Sequence, residues 1–69
     1  MQKWEYMFAE VWRNRVNVIE GEEIKREDQQ DWWIWLREQG LKGWELATEV
    51  TFAAYKTHVT LKRPIQDKT

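Results

Sequence analysis

Trp4-Glu5-Tyr6-Met7-Phe8-Ala9-Glu10-Val11-Trp12 reads as a β-strand, and its two faces set the terms for the rest of the chain. Trp4, Tyr6, Phe8 and Trp12 recur with period two, with Glu10 the one polar member of the row, and an extended backbone sends alternate side chains to one face. The opposite face carries Met7, Ala9 and Val11 after Glu5. Both faces are therefore largely apolar, and the strand is expected to be sandwiched, with something other than water on each side.

Working outward from that strand, Arg13-Asn14-Arg15 interrupts the pattern, and Val16-Asn17-Val18-Ile19 is a β-branched run of the kind that pairs back as a hairpin. Glu20-Gly21-Glu22 supplies a turn, and Glu23 through Asp28 is too charged and aperiodic for core. Asp28 or Asp31 then suits a helix N-cap, because a short carboxylate accepts from the free N–H groups of a first turn. The predicted helix runs to about Gln39, with Trp32, Trp35 and Leu36 on one buried stripe and Gly40 as the C′ residue that ends it.

Gly43 permits a reversal into a third strand over Trp44 to Val50, in which Trp44, Leu46 and Val50 alternate with polar neighbours. A fourth strand spans Tyr55 to Arg63. It sets Tyr55, Thr57, Val59 and Leu61 on one side and Lys56, His58, Thr60 and Lys62 on the other. Pro64, with no ladder donor, should end it and leave 64–69 as a frayed tail. The order β-β-α-β-β predicts an α+β fold: an antiparallel four-stranded sheet with one helix on one face, in a single domain over residues 1–69.

Composition narrows the classes. At 69 residues the chain lies near the lower limit of independent folding, and six tryptophans, two tyrosines and two phenylalanines supply large apolar area per residue. With no cysteine there is neither a disulfide framework nor a thiolate metal site. The start, Met1-Gln2-Lys3-Trp4-Glu5, lacks the apolar core of a secretory signal, and no apolar run approaches the ~20 residues of a membrane span. A cytoplasmic protein is expected. Eleven basic against twelve acidic residues give a formal net charge of −1, so no global field draws in a polyanion and nucleic acid is not expected as a partner.

Two motifs, Trp4-Glu5-Tyr6 and Gly40-Leu41-Lys42-Gly43-Trp44-Glu45-Leu46, together with Leu36 to Gly40 at the helix end and Lys62-Arg63-Pro64 at the last strand, resemble a small bacterial family catalogued as a domain of unknown function, number 4177. The resemblance spans most of the chain, and its most specific element is the Gly43 to Leu46 junction. It implies a bacterial source and a sheet-and-helix fold, and transfers no catalytic or ligand residues. Gln39 departs from the pattern, which favours an apolar residue there, and so does the tryptophan load of the helix.

The search for chemistry returns little. His58 is the only histidine and falls among lysines on the more polar side of its strand, where solvation outweighs catalysis. The carboxylates Glu20, Glu22, Glu23, Glu27, Asp28 and Asp31 lack the ligand spacing and glycine of a calcium loop. No phosphate-binding glycine motif or nucleophile elbow occurs. Neither catalytic residues, a metal nor a cofactor is expected, and the chain does not read as an enzyme.

Interaction is the remaining class. Five bulky residues, Trp32-Trp33-Ile34-Trp35-Leu36, cannot share one side of a helix that turns about 100° per residue. If Trp32, Trp35 and Leu36 face the sheet, Trp33 and Ile34 point outward as a partner surface, a reading that outweighs shielding by loops. The sheet face away from the helix is a second surface, suited to pairing two sheets across a symmetric homodimer, with Met7 and Val11 as its interface residues. A module that associates with itself or another protein is thus expected. The alternative is a small-ligand binder with Trp4, Trp12 and Trp44 as an aromatic pocket.

Overall fold

The computed structural model describes residues 1–51 and 56–65. It contains β1 (Trp4–Trp12), β2 (Arg15–Ile19), β3 (Glu22–Glu23), α1 (Trp32–Leu41), β4 (Glu45–Thr51) and β5 (Lys56–Pro64), with one turn of 3₁₀ helix at Arg26–Asp28. The sheet is antiparallel in the order β3-β2-β1-β5-β4, so the first strand lies at its centre. The expected α+β class holds. A fifth strand comes from Glu22–Glu23, which pairs with Ile19 and Val18 across the Glu20-Gly21 turn. Charge in those residues suggested a loop, but a two-residue edge strand is defined by its backbone pairing, whatever its side chains are.

Register explains which residues meet. In β1 and β5, Met7 lies opposite Leu61, Ala9 opposite Val59 and Val11 opposite Thr57. Directly opposed residues of an antiparallel pair share a face. Ala9, Val11, Val59 and Leu61 are buried on that face with Val16 of β2, beneath Trp32 and Trp35 of α1. Met7, Ile19, Ile24, Leu36 and Trp44 pack around this core. The small Ala9 and branched valines leave depth for two indoles, which stack with ring centroids 5.9 Å apart.

Helix α1 begins where the hairpin holds it. Val16 N–H donates to the Gln30 carbonyl at 3.0 Å and Trp32 N–H to the Asn14 carbonyl at 2.8 Å, so the residues before the helix are bound to the start of β2. Asp31 is the N-cap, its Oδ1 accepting from Trp33 N–H at 2.9 Å. At the other end the helix passes through Gly40 and closes at Lys42, and Gly43, with φ of 92°, takes the left-handed conformation expected of Gly40. Trp44 therefore precedes β4 and stacks against Arg63, whose guanidinium carbon lies 4.3 Å from its ring centroid. Arg63 also donates to the Lys42 carbonyl at 3.1 Å and pairs with Glu5, tying the helix end to both central strands.

Two edges of the fold differ from expectation. Pro64 is the last residue of β5, opposite Trp4, and Ile65 N–H donates to the Lys3 carbonyl at 2.9 Å, so residues 64 and 65 are held rather than frayed. Tyr55 and the tail from 66 lie outside the described residues. Strand β4 pairs with β5 on one side and with no described strand on the other, and all seven of its residues are exposed. Among the described residues no helix is long and apolar enough to cross a membrane.

Candidate interaction surface

The face of the sheet opposite α1 is built by the same register. Across β1 and β5, Trp4 lies opposite Pro64, Tyr6 opposite Lys62, Phe8 opposite Thr60, Glu10 opposite His58 and Trp12 opposite Lys56. Val18 of β2 is opposite Glu10, and Glu45 and Val50 of β4 extend the face beyond Lys62 and His58. Trp4, Tyr6, Phe8 and Trp12 are 37%, 51%, 56% and 44% exposed. Thus the central strand of the sheet carries an aromatic row that no described element covers.

The polar groups on this face are mutually engaged. Lys56 Nζ lies 3.0 Å and His58 Nε2 2.9 Å from Glu10 Oε1. The hydrogen bond from Lys56 holds the Glu10 carboxyl below its ordinary value, reinforced by the charges of Lys56 and His58 and opposed by partial burial. Lys62 Nζ sits 4.4 Å from the Trp4 ring centroid and 3.9 Å from Glu45 Oε1. At the far end the Arg13 guanidinium lies 4.6 Å from the Trp12 ring centroid. Cations flank the row at both ends and a glutamate interrupts it, an arrangement that matches charge with charge and leaves the rings open.

The residues singled out from the sequence separate into three places. Trp33 and Ile34 project from α1 and are 64% and 55% exposed. Met7 and Val11, expected on the outer surface, instead face the helix: Val11 is buried and Met7 packs against the core, so neither offers a free interface. The aliphatic row accommodates the tryptophans of α1, which leaves the aromatic row outward. Trp4, Trp12 and Trp44 do not form a common pocket. Trp4 and Trp12 stand at opposite ends of β1, about 27 Å apart at the rise of a strand, and Trp44 packs against the core below α1.

Tyr6 and Phe8, the most exposed of the row, were not among the expected interface residues. Strand periodicity places them together but cannot say which of two apolar rows the helix will cover. No protein-family model, characterised protein or solved structure matches this chain.

Proposed function

We propose that this chain is a non-catalytic interaction module whose open sheet face binds a second copy of itself. The observation that carries the reading is the row Trp4, Tyr6, Phe8 and Trp12, exposed along the central strand. Large aromatic side chains dominate the energetics of protein interfaces, and an uncovered row in the middle of a sheet has no folding role that needs it there.

Dimension and charge favour a like partner. Strands β1 and β5 with nine residues each, β4 with seven and β2 with five, at ~4.8 Å spacing and ~3.3 Å rise, give a face of about 475 Å² before side-chain relief. Two such faces come to about 950 Å² as flat areas, and side-chain relief brings them to the ~1,000 Å² expected of a specific interface. Along the middle of the face Glu10 and Glu45 balance Lys56 and Lys62, so two copies meet there without net repulsion. Face-to-face packing of two sheets at about 10 Å separation is the geometry that covers such a row.

Light scattering over an about hundredfold concentration range tests the reading. A dimer is expected, and Phe8→Lys, which places a charge amid the row on an exposed site, should convert it to a monomer with an unchanged circular dichroism spectrum. A wild-type chain that remains monomeric at the highest concentration sinks the proposal.

A further inference from the structure

At the Trp12 end of the molecule an open cleft of about 510 Å³ is lined by Trp12, Arg13, Arg15, Arg26 and Gln29. Its cations come from three separate places: the β1–β2 turn, the first residue of β2 and the 3₁₀ turn after β3. We infer that this cleft is a binding site for a small polyphosphate-bearing molecule, with the three guanidinium groups gripping phosphate oxygens and Trp12 offering an apolar wall to the remainder.

Three observations converge on it. First, none of Arg13, Arg15 and Arg26 forms an ion pair among the described residues, whereas Lys56, Lys62 and Arg63 each meet a glutamate. In a chain with more carboxylates than cations, gathering three arginines at one concavity with no carboxylate among its described walls is the arrangement an anion would complete. Glu27 and Asp28 neighbour Arg26 in sequence but do not line the cleft.

Second, the groups are partly fixed in place. Arg15 Nη1 reaches the Gln29 carbonyl at 3.4 Å, which uses one of its five N–H donors and leaves the others available. Gln29 Nε2 donates to the Ile24 carbonyl at 3.0 Å, holding the floor of the cleft to the loop before it. Third, Arg13 and Asn14 both adopt positive φ, 51° and 64°. A two-residue hairpin turn of this kind ordinarily takes Asn-Gly or Asp-Gly, so arginine in the first position is unfavourable for the backbone. The conformation nonetheless brings the guanidinium over the Trp12 ring and into the cleft wall.

The volume falls within the ~300–1,000 Å³ typical of small-molecule sites. Guanidinium forks match phosphate oxygens two at a time, and three of them suit a chain of phosphates better than a single one. Trp12 ends the aromatic row and Arg15 lies opposite it in the register, so the cleft adjoins the proposed interface, while its grip on phosphate comes from Arg13, Arg15 and Arg26 of one chain.

Titration calorimetry of the full chain with inorganic triphosphate and, separately, with adenosine triphosphate at low salt tests it. Binding of triphosphate is expected, and tighter binding of the nucleotide would add the Trp12 wall to the site, whereas equal affinity would assign it to the arginines alone. Arg26→Gln and Arg13→Gln should each weaken triphosphate binding about tenfold or more, the usual loss for a charge-assisted hydrogen bond. Arg26→Lys, which retains charge but not the fork, should fall between. Arg37→Gln on the exposed side of α1 makes the same charge change elsewhere and should leave affinity intact. Absence of binding to about 1 mM ligand, the weak end of specific affinity, would overturn the inference. So would an Arg37→Gln loss equal to that of Arg26→Gln. The same titrations on monomeric Phe8→Lys separate this site from the dimer: retained affinity assigns the site to a single chain, and lost affinity overturns that assignment.

Discussion

Leu61 has no exposed surface and sits opposite Met7 at the centre of the sheet, so truncating it removes contacts that nothing nearby can replace. Leu61→Ala should destabilise the fold by about 2–5 kcal/mol, a large share of what a domain of this size possesses, and urea unfolding followed by tryptophan fluorescence would show the loss. Glu10 tests a different kind of contact. Its pKa is lowered in the folded chain, chiefly by the Lys56 hydrogen bond, so its stabilising effect is complete above the unfolded carboxylate range and disappears as pH falls through the depressed folded value. Glu10→Gln should therefore cost about 0.2–1 kcal/mol near neutrality, as half-exposed pairs do. Urea midpoints of the two proteins should begin to converge below about pH 4, where the unfolded carboxylate takes up its proton, and meet below the depressed folded value. A constant difference across that range would mean the side chain contributes by packing alone.

At the scale of elements, the two glycines near the end of α1 respond in opposite directions. Gly40 lies within the helix, with open space where a Cβ would stand, while Gly43 has φ of 92°. Gly40→Ala should raise stability by up to about 1 kcal/mol and Gly43→Ala should lower it by a similar amount, through backbone conformation in both cases. Thermal unfolding of the pair reads the sign directly. The sequence points to Gly40 as the terminator because glycine readily takes the left-handed conformation of a C′ residue, yet α1 runs two residues past the buried Gln39, to Leu41. The strands of the sheet were mostly legible: Trp4–Trp12 from its alternation, and the sides of β5 from Val59 and Leu61 against Lys56, His58, Thr60 and Lys62. The facing of β1 was not, because period two separates Met7, Ala9 and Val11 from Trp4, Tyr6 and Phe8 without saying which row lies under a helix. That choice depends on the bulk of Trp32 and Trp35, a matter of volume between elements that no single segment records. The arginine cleft was illegible for the same reason, since Arg13, Arg15 and Arg26 converge only through the hairpin and the turn that follows it.

For the whole molecule, one helix covers one face of the sheet and the other face presents aromatic rings, so the state of lowest free energy is proposed to contain two chains. Its melting temperature should then rise with protein concentration, and the rise should vanish in Phe8→Lys; scanning calorimetry at two concentrations would detect it, and a concentration-independent midpoint for the wild type would count against a dimer. Strand β4 has a separate consequence. Its outer edge, which pairs with no described strand, can accept an extended chain that arrives, and Glu45 and Glu49 give two such strands a like charge that keeps them apart. A Glu45→Gln, Glu49→Gln double variant removes that barrier while the edge remains, and so favours edge-to-edge growth of the sheet into fibrils. The purified wild-type protein should accordingly stay in solution longer than that variant.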